Sequence, residues 1–354
     1  MKKNILYVID GLYGGGKERQ LVEIIKYLNN DGNYQVGVIT FNKNKHYTEY
    51  VRNNVDYFVE LKKRPTRFEP FLTIWNCFIN FKPHIVHTWD SMSTFYSYLP
   101  AKLNRAILIN GSIRDAGIAK GWEYRFKRFF LKKADIAIAN SIAGLNYYNV
   151  NGSVIYNSID PGRFYRNDNN EKEFNIIMTA NFSEYKDHNT FINAALMLLS
   201  ENIVDTVFLA GDGIYRDQYI RYLESNYKSI LPKFKFLGAI NNVEHYLQKC
   251  KIGILCSTLK YREGISNAIL EYMAAGLVPI ATNVGGISEV IENGINGFLI
   301  KENDAKRICE IVKLLRLDHK LYSNTTERAR ATVIEKFNYQ SNIDALINIY
   351  KSLA

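Results

Sequence analysis

Short apolar runs alternate with amphipathic stretches along the whole chain. The strand-like runs are ILYVID, VGVITF, HIVHTW, AILIN and IAIAN in the first half, and IIMTA, TVFLAG, FKFLG, IGILCS and VPIAT in the second. Predicted helices fall between them, near 18–30, 69–81, 91–103, 121–133, 141–150, 189–200, 216–227, 242–249, 266–275 and 287–292, and again at 341–353. Strands separated by helices of about 10–15 residues predict a parallel, doubly wound sheet in each half.

A polar, turn-rich segment at 160–173, DPGRFYRNDNNEKE, separates the two halves, and we interpret it as an interdomain linker. A chain of 354 residues is long enough for two domains with sizeable cores. The predicted fold class is therefore α/β, with two Rossmann-like, doubly wound parallel-sheet domains facing a cleft. They occupy residues 1–165 and 166–340, and the last helix, 341–353, can pack back on the first domain.

The composition is typical of a water-soluble globular protein, with 47% apolar and 23% charged residues. No stretch approaches the roughly 20 apolar residues that a membrane-spanning helix needs. No targeting segment is visible, because Asp10 interrupts the first apolar run. The four cysteines have neither metal-ligand nor disulfide spacing, which predicts reduced thiols in a cytoplasmic protein.

Positive charge is concentrated in the first half. Residues 1–165 contain 23 Lys and Arg against 13 Asp and Glu, whereas residues 166–354 are balanced. Two basic clusters include aromatic residues, at 62–68 (KKRPTRF) and 122–133 (WEYRFKRFFLKK). This combination suits an anionic membrane surface or a lipid-linked anionic acceptor. Nucleic acid is the competing interpretation, but no nucleic-acid-binding motif accompanies the charge. A solvated basic helix is the simplest alternative.

The most informative segment is 257–286, STLKYREGISNAILEYMAAGLVPIATNVGG. Glu263 and Glu271 lie on either side of a glycine loop and the start of a predicted helix, which Ser266 can cap. Gly264 allows the backbone to approach a ligand closely. The N-terminus of the helix offers N–H groups and the positive end of its dipole to a phosphate. Two surface carboxylates on an ordinary capped helix are the alternative for the pair taken alone.

Two further loops can contact a phosphate. Residues 11–19, GLYGGGKER, do not have G-x-G-x-x-G spacing, and no acid closes the second strand, which argues against NAD or FAD. The loop is a candidate for phosphate or sugar contact at a helix N-terminus, or a simple strand–helix turn. In residues 178–188, MTANFSEYKDH, Lys186 is the candidate clamp for a diphosphate. A lysine in a loop is, however, commonly just solvated.

These segments resemble the donor-site signature of the family 4 retaining glycosyltransferases, which have the GT-B fold. The matching motifs are EG…N…LE.MAAG…P.AT.VGG from Glu263 onward, GG-x-ER at 15–19, GDG at 211–213, FLG at 236–238, ANS at 139–141 and YNSID at 156–160. The resemblance covers nearly the whole chain, most closely at 139–160 and 176–300.

The resemblance implies a nucleotide-sugar site in the second domain, with Glu263 on the transferred sugar, Glu271 on the ribose and Lys186 on the diphosphate. The implied donor-binding set is Gly15, Gly16, Asn181, Lys186, Gly211, Gly238, Glu263, Gly264, Ile265, Ser266, Asn267 and Glu271. The family commonly has an arginine where this chain has Asn181. Phosphate binding is therefore expected to depend more on Lys186 and on helix N-termini.

The acceptor side departs from the family, which commonly places a histidine at the end of the fourth strand. Here that strand ends in NGSIRD, so Asn110, Ser112 or Arg114 is expected to replace the histidine. Arg114 is the first choice, and we include it with Glu263 and Lys186 as a catalytic candidate. His87, at the end of the preceding strand, is a further acceptor-side candidate, or simply a structural histidine.

The leading hypothesis is a retaining, hexosyltransferase-type glycosyltransferase of bacterial surface polysaccharide biosynthesis, such as lipopolysaccharide or capsule. Its expected partners are a nucleotide sugar and a glycan or polyprenyl-diphosphate-linked glycan acceptor, with no nucleic acid. No Asp-x-Asp motif is present, so no metal or other cofactor is expected. The expected location is the cytoplasm, with peripheral contact at the inner face of an anionic membrane. A GT-B-fold sugar-nucleotide epimerase and a non-catalytic nucleotide-sugar-binding subunit remain as alternatives.

Overall fold

The computed structural model describes residues 2–43, 46–61, 68–117, 119–164 and 173–353. Most of the first basic cluster (62–67) and of the predicted linker (165–172) lies outside these ranges. The chain divides into two compact units, which are unit 1 (Met1–Asn157 with Tyr339–Ala354) and unit 2 (Ser158–Asn338). The division therefore falls at Asn157, whereas the sequence pattern places it at 165.

Unit 1 contains a seven-stranded parallel sheet. Its strands are β1 (Lys3–Gly11), β2 (Tyr34–Asn42), β3 (Tyr57–Glu60), β4 (Ile85–Thr88), β5 (Ile107–Ile113), β6 (Ile136–Ala139) and β7 (Ser153–Val154). They lie in the order β3-β2-β1-β4-β5-β6-β7. The direction of winding reverses between β1 and β4, which is where doubly wound sheets bind ligands.

Helices cover both faces of this sheet. They are α1 (Gly16–Asp31), α2 (Thr48–Asn53), α3 (Glu69–Asn80), α4 (Ser91–Leu103), α5 (Gly121–Lys133), α6 (Ile142–Tyr148) and the C-terminal helix (Tyr339–Ser352). Residues of β1 alternate between two cores, because successive side chains of a strand point to opposite faces. Tyr7 packs on the side of α1 and the C-terminal helix, and Val8 packs on the side of α3 and α4.

The C-terminal helix is fixed to unit 1 by buried polar contacts as well as by apolar packing. The Tyr350 hydroxyl lies 2.9 Å from the Tyr7 hydroxyl and 2.7 Å from Nδ1 of His87. The Tyr27 hydroxyl donates to Asp344 at 2.8 Å. These bonds join the end of the chain to β1, β4 and α1.

Unit 2 contains a six-stranded parallel sheet. Its strands are β8 (Ile176–Thr179), β9 (Val207–Ala210), β10 (Phe234–Gly238), β11 (Ile252–Leu255), β12 (Val278–Thr282) and β13 (Phe298–Ile300). Its helices are α7 (His188–Ser200), α8 (Arg216–Asn226), α9 (Val243–Leu247), α10 (Asn267–Ala274), α11 (Ala305–Leu317) and α12 (His319–Lys336), with 3-10 turns at Pro161–Phe164, Leu231–Lys233 and Ile287–Glu289. The order β10-β9-β8-β11-β12-β13 places the switch point between β8 and β11.

The predicted helix at 287–292 is wrong, because only a 3-10 turn forms at Ile287–Glu289. The chain then closes a loop around Asn296, whose side chain accepts from the Glu292 N–H at 2.7 Å and donates to the Val290 carbonyl at 3.0 Å. A side chain therefore satisfies backbone groups that a continuing helix would have paired.

The cysteines and the apolar helices can be compared with the expectations from composition. All four cysteines are buried, and each is a thiol outside any disulfide. Among the helices of the described ranges, none combines the length and the apolar content needed to cross a bilayer.

Candidate functional site

The switch point of unit 2 brings two distant loops together. β8 and β11 are paired neighbours in the sheet, and the loops that follow them carry Lys186 and Glu263, which are 77 residues apart in sequence. An isolated bridge between the backbones of Lys186 and Ser257 joins the two loops directly. This is the position at which the fold predicts a ligand site.

Lys186 and Glu263 form a largely buried ion pair. The Lys186 ammonium donates to Oε1 of Glu263, and the Ser257 hydroxyl donates to the same oxygen at 3.1 Å. The two charged side chains are only 18% and 12% exposed. Burial lowers the pKa of Lys186 to about 7, whereas a neighbouring carboxylate acts in the opposite direction. The pair places one cation and one anion together at the switch point of unit 2.

The two loops are held in place by stacking and by backbone bonds. The rings of Tyr185 and Tyr261 stack with centroids 3.9 Å apart. The Thr258 N–H donates to the Tyr185 carbonyl at 3.1 Å, and the Asp187 N–H donates to the Cys256 carbonyl at 3.0 Å. Lys186 and Glu263 are therefore carried by a fixed pair of loops.

The Gly285-Gly286 pair fixes the backbone of Glu263. The Gly286 N–H donates to the Glu263 carbonyl at 2.8 Å. Gly285 has φ +59°, and a Cβ atom there would lie 1.8 Å from the same carbonyl oxygen. Glycine is required at this position by both the left-handed backbone and the close approach.

Helix α10 begins at the same loop. Ser266 occupies the N-cap position, as the sequence predicts, but its side chain makes no cap hydrogen bond. Uncapped N–H groups in a first turn suit an anionic ligand. Gly264, Ile265 and Ser266 are buried, and Oδ1 of Asn267 is buried without a partner.

Glu271 lies one turn further along α10 and is buried. The neighbouring Tyr272 anchors the helix to the sheet, because its hydroxyl accepts from the Thr179 N–H at 2.6 Å. A Cβ atom at Gly253 would overlap the Tyr272 ring, so β11 and α10 are in close contact. This packing sets the position of Glu271 relative to the Glu263 loop.

The remaining donor candidates of unit 2 also lie at strand ends. The Gly211 N–H donates to the Gly238 carbonyl at 2.8 Å, which joins the ends of β9 and β10. A Cβ atom at Gly211 would lie 2.1 Å from the Ala180 carbonyl and 3.2 Å from the Asn181 nitrogen. Asn181 is exposed beside this turn.

Gly15 and Gly16 lie in unit 1, at the end of β1. Gly15 is the N-cap residue of α1 and Gly16 is its first residue. A Cβ atom at Gly15 would lie 2.5 Å from Oε2 of Glu18, whose side chain is buried beneath the loop. Burial raises the pKa of Glu18, and the charge of Lys17 opposes that shift. The glycine loop therefore covers a buried carboxyl group.

Arg114, at the end of β5, also lies near this edge of the unit 1 sheet. Its guanidinium lies 4.3 Å from the centroid of the Trp89 ring, and Nε donates to the Gly111 carbonyl at 3.2 Å. Burial lowers the pKa of Arg114 to about 10, and the charge of Glu18 acts in the opposite direction. Arg114 is therefore still a cation at neutral pH.

Asn110 and Ser112 are buried beside it and keep unused hydrogen-bonding groups. Oδ1 of Asn110 accepts from the Ser112 N–H at 3.0 Å. Nδ2 of Asn110 and Oγ of Ser112 are buried without partners. Unpaired buried polar groups are uncommon and often mark ligand sites.

The position of His87 favours the structural interpretation. Its ring is buried, and Nδ1 pairs with the Tyr350 hydroxyl of the C-terminal helix. Burial, aided by the charge of Arg114, lowers the pKa of His87 to about 3, so the ring is neutral at physiological pH. A Cβ atom at Gly111 would lie 2.6 Å from Nε2, so the adjacent strand packs directly on the ring.

Sequence reasoning missed three residues that support these groups. Ser257 donates to Glu263, Thr282 accepts from the Ser257 N–H at 3.1 Å, and Trp89 stacks on Arg114. Each lies at or just beyond a strand end, which was the available signal in the sequence. Their partners depend on strand order, which the sequence pattern does not give.

The fold and the site define a class of protein. Two family models match adjacent parts of the chain: Glycosyltransferase Family 4 over residues 14–163 and Glycosyl transferases group 1 over residues 163–332. The chain belongs to the group 1 glycosyltransferases of family 4. The fold class predicted from the sequence is confirmed as GT-B.

Solved structures carry the same fold. Anabaena HepE in complex with UDP superposes with a TM-score of 0.85 at 18% identity, over 99% of this chain and 100% of that chain. HepE in complex with UDP-glucose gives a TM-score of 0.82 at 18% identity, over 99% of both chains.

Curated relatives are similar over parts of their length. N-acetyl-alpha-D-glucosaminyl L-malate synthase of Bacillus anthracis is 28% identical over 63% of this chain and 61% of its own length. The UDP-Gal:alpha-D-GlcNAc-diphosphoundecaprenol alpha-1,3-galactosyltransferase of Escherichia coli is 28% identical over 45% of this chain and 41% of its own. The matches thus span about two fifths to three fifths of these relatives.

Proposed function

We propose that this protein is a retaining glycosyltransferase that transfers a hexosyl group from a UDP-sugar to a glycan or polyprenyl-diphosphate-linked glycan in bacterial surface polysaccharide biosynthesis. The observation that carries the proposal is the Lys186–Glu263 ion pair at the switch point of unit 2. HepE, which has the same fold, binds UDP and UDP-glucose. The name of the Escherichia coli relative specifies a lipid-diphosphate acceptor.

In the proposed reaction, the donor changes the partners of the ion pair. Lys186 turns to the diphosphate, Glu263 accepts hydroxyl groups of the sugar, and Glu271 accepts those of the ribose. As the bond between the anomeric carbon and the phosphate oxygen breaks, its electron pair stays on the UDP, and Lys186 stabilises the developing charge. The acceptor hydroxyl attacks the same face of the sugar, and its proton passes to the departing phosphate.

The proposal is tested by titrating the protein with UDP-glucose in a calorimeter. The wild-type chain is expected to bind, and Glu271→Gln is expected to weaken binding by about 10-fold or more, because it removes a charged acceptor from the ribose. Glu310→Gln, which changes a carboxylate of α11 that is 62% exposed, is the control. No binding of UDP-glucose, UDP-galactose or UDP-N-acetylglucosamine would refute a UDP-sugar donor.

Affinity for UDP-glucose is expected to fall as the pH rises above neutrality. The ammonium form of Lys186 binds the diphosphate, and burial lowers its pKa to about 7 in the free protein. At higher pH a proton must be taken up on binding, which weakens the apparent affinity by up to about tenfold per pH unit. Lys186→Arg should flatten the profile, since arginine keeps its charge. A wild-type profile as flat as that of the arginine variant would contradict the assignment.

We further propose that the reaction needs no divalent metal, because Lys186 and the α10 N-terminus supply the positive charge at the diphosphate. UDP release from a UDP-sugar is expected to continue at an unchanged rate in EDTA. The rate with added magnesium is the comparison. Complete loss in EDTA with recovery in magnesium would overturn this part of the proposal and leave the donor assignment intact.

A further inference from the structure

Three helices of unit 1 carry large apolar side chains on their outward surfaces. The exposed residues are Phe68, Leu72, Trp75 and Ile79 on α3 and its N-cap, Met92, Phe95, Leu99 and Leu103 on α4, and Trp122 and Phe129 on α5. They make up half of the large hydrophobic residues that are exposed in the described chain. Single exposed apolar residues are ordinary, whereas a concentration on adjacent elements marks an interaction surface.

The exposed residues follow helical periodicity. On α3 the buried residues Ile74 and Phe78 face the sheet, yet Leu72, Trp75 and Ile79 form a second apolar stripe on the opposite side. A surface helix of a globular protein normally has polar residues there. α4 repeats the pattern on its outward side. We call the combined outward stripes of α3, α4 and α5 the apolar face.

The apolar face is continuous across the three helices. α4 contacts both α3 and α5. Phe95 of α4 packs against Phe126 and Phe130 of α5, with ring centroids 5.8 and 5.7 Å apart. Trp122, 72% exposed, continues this aromatic group at the start of α5.

The charges along these helices are mainly positive. The three helices carry six basic residues, Lys102, Arg125, Lys127, Arg128, Lys132 and Lys133, but only two acidic ones, Glu69 and Glu123. Lys127 pairs with buried Asp115 at 2.9 Å, whereas Arg125, Lys132 and Lys133 are exposed. Apolar and aromatic residues combined with exposed cations are the chemistry of an anionic membrane surface.

We infer that the apolar face docks on the headgroup region of an anionic lipid bilayer. Its apolar side chains enter the boundary with the acyl chains, and Arg125, Lys132 and Lys133 contact the anionic headgroups. Two copies of this face would place like charges together, which disfavours self-association. This inference deepens the proposed function. It rests on that function at one point, which is that a polyprenyl-linked acceptor lies at the same bilayer surface.

The test is flotation of the full chain with two kinds of vesicle, phosphatidylcholine alone and phosphatidylcholine mixed with phosphatidylglycerol. Wild type is expected to float with the mixed vesicles. Leu72→Gln/Ile79→Gln/Leu99→Gln is expected to lower the partition coefficient by about 10-fold or more, because three apolar side chains no longer enter the lipid. Arg125→Gln/Lys132→Gln/Lys133→Gln is expected to lower it on the mixed vesicles by on the order of a hundredfold.

Leu314→Gln/Leu317→Gln/Ile334→Gln is the matched control, since it removes the same kind of exposed apolar residue from unit 2. This control is expected to float like wild type. The inference is overturned if wild type does not float with mixed vesicles, or if the Leu72/Ile79/Leu99 variant floats equally well. It is also overturned if sedimentation finds a wild-type dimer that this variant converts to monomer.

Calorimetry with UDP-glucose separates this inference from the proposed function. The Leu72/Ile79/Leu99 variant is expected to bind UDP-glucose as wild type does. Flotation without any nucleotide-sugar binding would support the apolar face and refute the donor assignment. Binding of UDP-glucose without flotation would support the donor assignment and refute the apolar face.

Discussion

Replacing Lys186 by methionine is expected to lower kcat/KM for UDP release from a UDP-sugar by about 10²- to 10³-fold. The ammonium lies at the switch point of unit 2, paired with the carboxylate that is proposed to hold the sugar. Methionine fills a similar volume without a charge, so the departing diphosphate loses its fixed cation. Initial rates at subsaturating UDP-glucose measure the effect.

A double variant distinguishes chemistry from folding. Lys186→Met leaves the Glu263 carboxylate, 12% exposed, with the Ser257 hydroxyl but without its cation. Breaking a fully buried pair costs about 3–5 kcal/mol, and partial exposure reduces that cost here. Lys186→Met/Glu263→Gln removes both charges and is expected to recover Tm, whereas activity is expected to stay low because both residues are proposed to contact the donor. Recovery of the rate in the double variant would show that Lys186 acts only on stability.

Gly285→Ala is expected to be strongly destabilising and to reduce donor binding. The left-handed backbone costs an alanine about 1–2 kcal/mol, and the overlap with the Glu263 carbonyl adds about 1–3 kcal/mol. Because the overlapping atom belongs to backbone, relief requires a shift of the loop that carries Glu263. Urea unfolding measures the free energy, and calorimetry with UDP-glucose measures the binding.

Gly294→Ala is the control for backbone strain alone. Gly294 has φ +81°, and a Cβ atom there would have open space. Its substitution is expected to cost only the strain of about 1–2 kcal/mol and to leave UDP-glucose binding unchanged. Equal effects of the two substitutions on binding would contradict the role assigned to Gly285.

Most of the fold was predictable because parallel strands buried on both faces are short continuous apolar runs. The pattern predicted ten of the strands, from ILYVID to VPIAT, but not the short edge strands β3, β7 and β13. It also left α2, α11 and α12 unassigned. Both α11 and α12 did carry a local signal, since Asp304 caps α11 by accepting from the Arg307 N–H at 3.0 Å and Asp318 caps α12 by accepting from the Leu321 N–H at 2.8 Å. α12 has a weak apolar stripe and depends on packing against α10 and α11.

The candidate site was predictable only in part, because some of its features are local in sequence and others depend on strand order. Glycine loops and their carboxylates are local patterns, so Glu263 and Glu271 could be proposed as site residues from the sequence. That Lys186 pairs with Glu263 depends on β8 lying beside β11, which no local pattern specifies. The burial of His87 against Tyr350 likewise depends on a helix that returns from the far end of the chain.

The C-terminal helix also determines the order in which the protein can assemble. Unit 1 is built from two stretches of chain separated by all of unit 2, and Tyr350 supplies the hydroxyl that Tyr7 and His87 share. During vectorial synthesis on the ribosome, the contiguous unit 2 can therefore complete its core while unit 1 still lacks a helix. A chain that stops a few helical turns before Tyr350 would lack this hydroxyl. The loss would weaken chiefly β1 and β4, which carry Tyr7 and His87 and are translated much earlier.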